Sequence, residues 1–229
     1  MQPPPAYTDA GPRCQSQRPE SEHVRLFPNA KRAKARLLAE FQGRRILDVG
    51  CGASKTPGAI GIDRRGWQNR PAEVQMDIEH DLTVFPWPIE DDSFGLVICS
   101  HVMEHLPDTV KTMEELNRIT RHGGKVYIEV PHYTWFESFR HYEHKHFFSI
   151  GSFDYFIKGN PHYRTDYEIA DRYIFFDDLT YCLGIGFLAN LFPRLYEKRL
   201  GFIFPATSFF VTLQVDKSRD VVEAETSHS

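Results

Sequence analysis

A short apolar strand that runs directly into two glycines constrains this chain more than any other feature. Arg45-Ile46-Leu47-Asp48-Val49 is followed at once by Gly50-Cys51-Gly52. Glycines at a strand-to-helix turn let a ligand rest against the backbone where a Cβ would block it. Ala59-Ile60-Gly61-Ile62-Asp63 is a second strand, and its closing acid falls 15 residues after Asp48. A carboxylate in that place can accept hydrogen bonds from both hydroxyls of an unphosphorylated ribose. The third glycine of a G-x-G-x-x-G dinucleotide motif would fall at Lys55, which is not small, so the dinucleotide reading is weak.

The pattern continues downstream. Val74 to Ile78 alternates as a third strand, Phe94 to Cys99 is the continuous apolar run of a buried parallel strand, and Lys125 to Val130 is a fifth. Between the last two, a helix over Asp108 to Arg121 has Asp108 as its cap and Gly123-Gly124 as its stop. Upstream, Asn29 caps a helix through Gln42 with a narrow apolar stripe and a basic one. Beyond Pro131 come an aromatic-rich stretch, a strand over Ile169 to Phe176, a helix over Phe187 to Arg199 and a strand over Thr207 to Val215. Alternating strands and helices predict an α/β fold, an open, doubly wound, mostly parallel sheet with helices on both faces and ligands at the carboxyl ends of its strands.

Composition narrows the partners. With 41% hydrophobic and 14% aromatic residues, the 229-residue chain can bury a sizeable core, which excludes collagen-like and wholly disordered readings. A net charge of −4 disfavours a dedicated nucleic-acid binder and favours a small-molecule partner. Cys14, Cys51, Cys99 and Cys182 form no C-x-x-C pair, and no secretory leader or membrane span is read, so a reducing cytoplasm is the expected location. The expected organisation is a flexible arm over 1–28, one domain over 29–216 and a disordered tail over 217–229.

Four motifs in order carry a family resemblance. Ile46 to Gly52, the loop Phe85-Pro86-Trp87-Pro88-Ile89-Glu90-Asp91-Asp92-Ser93-Phe94, the segment His101-Val102-Met103-Glu104-His105-Leu106 and the strand ending at Val130 together resemble the class I S-adenosylmethionine-dependent methyltransferases, specifically the type-11 domain group. The resemblance implies a Rossmann-like sheet of seven strands, S-adenosyl-L-methionine as cofactor, and a division into a cofactor half over about 44–130 and a specificity half over about 131–216. It implies cofactor contacts from Asp48, Gly50, Cys51 and Gly52, with the glycine turn along the methionine moiety, and from Asp63 on the ribose. Counting back from Pro86 selects Asp81 and Leu82 for the adenine, with Asp77-Ile78 as a competitor, and Ser100 and His101 face the sulfonium and amino-acid end. Gly95 departs from the family pattern, which usually has Asp there.

Methyl transfer from a sulfonium needs an in-line nucleophile held about 3 Å from the methyl carbon, so catalysis is mainly positioning plus proton removal. Candidate bases cluster after the fifth strand, with His132 and His144 first among them, and Tyr133, Trp135, His141 and His146 are candidate acceptor contacts. The histidines have three open readings: a general base, a divalent metal held by His141, His144 and His146, or an anchored substrate lid. H-x-x-H-x-H is not a recognised ligand spacing, so no metal is assigned. The expected activity is methyl transfer to an oxygen or nitrogen of a small-molecule acceptor. The alternative is an S-adenosylmethionine-binding protein of the same fold that catalyses a non-methylating reaction or serves as a binding module. No N/D-P-P-Y/F-like tetrapeptide follows the fourth strand, which further disfavours nucleic acid.

Overall fold

The structure is a computed structural model that describes residues 30–64 and 76–218. The expected arm over 1–28, the Asn29 cap and the tail beyond Ser218 lie outside the described residues. Seven strands form one sheet in the order β3-β2-β1-β4-β5-β7-β6. They are β1 (Ile46–Val49), β2 (Ile60–Asp63), β3 (Ile78–Glu79), β4 (Phe94–Ser100), β5 (Thr120–Pro131), β6 (Tyr167–Phe175) and β7 (Ser208–Val215). β1 to β5 pair in parallel, while β7 runs antiparallel to both β5 and β6.

Side chains alternate across a strand, so each buried strand feeds two cores. Leu47, Val97, Cys99, Val126, Ile128, Phe209 and Val211 join the larger core beneath helix α2 (Thr109–Ile119). Ile46, Leu96, Ile98, Tyr127 and Phe210 join the opposite one, closed by Leu37 and Phe41 at helix α1 (Ala30–Glu40). Burial on both faces explains the continuous apolar runs, with each fully buried Leu, Ile or Val contributing about 1.5–3 kcal/mol.

Several elements differ from the sequence reading. No helix follows Gly50-Cys51-Gly52: turns fill the stretch up to β2, because Pro57 and Gly58 interrupt a connection too short for a helical crossover. The Asp48 carboxylate holds this loop by accepting from the Thr56 amide at 2.6 Å. Of the third strand expected over Val74 to Ile78, Val74 and Gln75 lie outside the described residues, and the strand described is Ile78–Glu79. Helix α2 keeps its cap, the Asp108 side chain accepting from Lys111 N at 2.9 Å, but ends at Ile119 rather than Arg121. Phe94 pairs with Thr120 and Leu96 already with Lys125, so the chain bulges there through Gly123, whose φ of +70° suits glycine. The Arg121 guanidinium of that bulge packs where a Gly95 side chain would emerge, 3.0 Å from a Cβ built there. The helix expected over Phe187 to Arg199 is two, α5 (Ile185–Leu191) and α6 (Pro193–Arg199), because Pro193 supplies no amide for a continuous helix. Between β5 and β6 lies the aromatic-rich segment, with helix α3 (Phe136–Arg140), and helix α4 (Asp178–Cys182) follows β6.

Candidate active site

The carboxyl ends of β1, β2 and β4 converge on a cavity of about 300 Å³ lined by Gly50, Asp63, Arg64, Asp81, Leu82, His101, Val102 and His105, among others. Gly50 has a φ of +64° and donates its amide to Ile62 O at 2.8 Å, tying the turn to β2. Asp63, nearly buried at the end of β2, accepts from Gly52 N at 2.8 Å through one oxygen and from Arg64 N at 2.7 Å through the other. Two backbone amides thus fix the orientation of both oxygens at the end of β2.

Asp81 and Asp77 separate by geometry. Asp81 lines the cavity with Leu82, and one of its oxygens accepts from Thr83 N at 2.9 Å and Thr83 Oγ1 at 2.8 Å, which holds its pKa below the usual carboxylate value. Asp77 is engaged elsewhere, accepting from Gly61 N at 2.7 Å and Lys55 Nζ at 2.8 Å, and it does not line the cavity. Asp48, Cys51, Gly52 and Ser100 are not among the lining residues either. They support the wall from behind: Ser100 Oγ donates to Glu129 at 3.2 Å, and burial beside Asp63 and Asp48 pushes the Cys51 thiol up to about 11, which leaves it inert.

His101 follows β4 with a φ of +55°, a conformation that costs a residue with a Cβ about 1–2 kcal/mol. It places the half-exposed ring between two carboxylates, Nδ1 3.4 Å from Glu104 and Nε2 3.6 Å from Glu129. Burial opposes the charged ring, but the hydrogen bonds and charges of Glu104 and Glu129 prevail and raise its pKa to about 10. His101 is thus an imidazolium at neutral pH.

A second cavity of about 380 Å³ adjoins the first and shares His101 and His105 with it. Its wall includes Glu104, Trp135, His141, His144 and Ser208. Of the residues expected to meet an acceptor, Trp135, His141 and His144 are here. Three others are not. His132 is fully buried, with Nδ1 2.7 Å from Thr134 Oγ1 and Nε2 3.1 Å from Glu197 Oε1, so both ring nitrogens are engaged in the packing of β5 against α6. His132, expected as a candidate base, lines neither cavity. Tyr133 donates its hydroxyl to Glu197 O at 3.1 Å, and the His146 ring lies 3.3 Å from Pro107 O. The resemblance implies that Glu104 and His105, in the motif after β4, lie near the cofactor rather than transfer a proton; His105 lines both cavities and Glu104 the second. Glu129 is the residue of this cluster that the sequence reading does not single out.

A family of methyltransferase domains matches residues 21–158, more than half of the chain. The chain belongs to that family, and by family and fold it is a class I methyltransferase domain whose cofactor is S-adenosylmethionine. It is similar to the ubiquinone biosynthesis O-methyltransferase of Paracidovorax citrulli, 32% identical over 107 residues that cover 40% of this chain and 45% of that protein. It is also similar to the methyltransferase GfsG of Streptomyces halstedii, 30% identical over 104 residues, 38% of this chain and 37% of that one. The chain thus spans less than half the length of these curated relatives. An S-adenosylmethionine-dependent methyltransferase of Archaeoglobus fulgidus shares its fold at a TM-score of 0.54 and 20% identity, over 80% of this chain and 93% of that one. One from Mesorhizobium loti does so at 0.53 and 15%, over 80% and 96%. No helix among the described residues is long and apolar enough to cross a membrane.

The first cavity fits the cofactor by its donor set. It offers a nearly buried carboxylate at the end of β2, an acid followed by an apolar side chain at Asp81-Leu82, and bare backbone at Gly50, the kinds of group that a nucleoside joined to an amino acid requires.

Proposed function

We propose that the chain transfers the methyl group of S-adenosylmethionine to an oxygen or nitrogen of a small-molecule acceptor, oxygen being favoured. The observation that carries this reading is the junction of two cavities at His101 and His105, one bearing the cofactor-type donor set and the other walled by Trp135, His141 and His144. The name of the Paracidovorax relative supports oxygen as the acceptor atom. S-adenosylmethionine supplies an electrophilic methyl on a sulfonium. Asp63 accepts from the ribose hydroxyls, Asp81 and Leu82 hold the adenine, and the bare Gly50 turn passes the methionine chain. The Glu104 and Glu129 carboxylates around the His101 imidazolium leave an excess of negative charge on the wall nearest the sulfonium. Trp135 packs against the acceptor, and its proton leaves at the wall formed by His141 and His144. Residues 44–130 carry the cofactor and 131–216 select the acceptor.

The test is formation of S-adenosylhomocysteine with a panel of phenols, alcohols and amines. Turnover with at least one acceptor, weakened in Asp63→Ala through a cofactor affinity lower by about 1–3 kcal/mol, is expected. Cofactor binding without turnover on any acceptor would instead make the chain a binding module.

A further inference from the structure

His105, His141 and His144 each offer a ring nitrogen, and the three atoms lie within 4.8 Å of one another. Two segments of chain build this cluster: His105 closes the 3-10 turn after β4, while His141 and His144 come from the loop after α3. The His141 and His144 rings stack at 4.7 Å between centroids, and His105 meets His144 edge-on at 4.8 Å.

Two of the three rings are fixed as metal-binding imidazoles are. His144 Nδ1 lies 2.9 Å from Ser138 O, and a ring nitrogen of His105 bonds the Glu143 carbonyl. A carbonyl can only accept, so these nitrogens carry the protons and the opposite ones keep free lone pairs. A second observation points to a cation. Glu104 is 1% exposed, lines the same cavity, and its Oε2 has no hydrogen-bond partner. The His101 ring meets only the other oxygen, Oε1, at 3.4 Å. A buried carboxylate oxygen left without a donor costs about 1–3 kcal/mol, and a second positive charge on the Oε2 side would offset that cost. Three nitrogens around a tetrahedral ion lie about 3.4 Å apart, so small ring rotations close the observed separation.

We propose that His105, His141 and His144 bind a first-row divalent cation of the Zn²⁺ or Co²⁺ type, with the Glu104 carboxylate balancing its charge. Three imidazoles leave the fourth position open, the arrangement of sites whose ion acts on a ligand. That the fourth ligand is an acceptor oxygen, made more acidic by the ion, rests on the methyl transfer proposed above; the ion site does not. His146, whose ring lies at Pro107 O, takes no part.

The experiment is titration of the full chain with Co²⁺ and Zn²⁺ alone, without cofactor or acceptor. One equivalent of Co²⁺ should bind and give the visible absorption of a tetrahedral ion, displaced by Zn²⁺. Each of His141→Ala and His144→Ala should weaken binding at least tenfold, while His146→Ala leaves it unchanged. Imidazole signals of His105, His141 and His144 should shift with Zn²⁺ in the unsubstituted protein, a readout that needs no variant to fold. Absence of the cobalt spectrum, or loss of binding in His146→Ala equal to that in His144→Ala, would overturn the site. If the cation binds as expected but no acceptor turns over, the ion site stands and the methyl-transfer reading falls.

Discussion

Val102 stands where a side chain on Gly50 would have to go: a Cβ built on Gly50 would lie 2.4 Å from Val102 Cγ2. The turn that leaves β1 and the turn that leaves β4 therefore pack together at Gly50, which has no side chain. Gly50→Ala should strain the backbone at a φ of +64° and push Val102 into the first cavity. The strain costs about 1 kcal/mol and the overpacking about 1–3 kcal/mol. A lower urea midpoint with cofactor affinity reduced at least tenfold is expected. An unchanged affinity would show that the ligand does not follow the Gly50 turn.

Asp77 and Asp81 lie four residues apart and serve different ends, so their substitutions should separate. Asp77 ties Lys55 and the Gly61 amide together at the edge of β2, while Asp81 lines the cavity. Asp81→Ala should weaken cofactor binding by about 1–3 kcal/mol, the cost of an unpaired adenine donor, with little change in melting temperature. Asp77→Ala should lower the melting temperature more than it lowers affinity. Calorimetric titration beside thermal unfolding distinguishes the two, and a reversed pattern would restore Asp77 as the adenine partner.

The His101 pair with Glu129 makes a pH prediction with a definite sign. The ring's pKa is raised from 6.5 to about 10, so its contribution to stability is complete below about 6.5, declines as the pH rises, and is gone above about 10. Glu129 is lowered in turn: burial opposes its charge, but His101, Tyr127 and Ser100 outweigh burial, so its contribution is lost as the pH falls into the acid range. Unfolding midpoints should fall between pH 7 and 10, and His101→Gln should flatten that limb. A His101 ring signal that titrates near 6.5 would refute the assignment.

Strands β1, β2 and β4 are legible in the sequence because their physics is local. Strands buried on both faces must be continuous apolar runs, and a glycine turn next to an acid at the end of the following strand has few uses other than a nucleoside ligand. Gly50, Asp63, Asp81, Leu82 and His101 all reach one cavity. Boundaries that depend on tertiary fit were not legible. The pattern could not show that the chain after Gly52 forms turns instead of a helix, or that Pro193 divides one helical run in two. Depth was invisible as well. His132 and His144 look alike in sequence, yet one is sealed between β5 and α6 and the other lines a cavity. His105 joins His141 across 36 residues of chain, a proximity that only the sheet creates.

That contrast in depth gives the last prediction. His132 is fully buried, bridging Thr134 and the Glu197 carboxylate, which also accepts from the Ile150 amide at 2.8 Å. His132→Ala removes a packed ring and strands one bond of Glu197, and should destabilise the fold by about 2–4 kcal/mol. Whatever protein remains folded should keep its turnover number. His144→Ala opens the wall of the second cavity instead, so it should leave the unfolding free energy within about 0.5 kcal/mol of the parent and, on the proposed methyl transfer, lower turnover at least tenfold. The comparison is made at a temperature where both variants are folded, with turnover expressed per folded molecule. A His132→Ala protein that folds well but has lost its turnover would return that ring to the chemistry, because a residue acting only through packing has no other route to such a result.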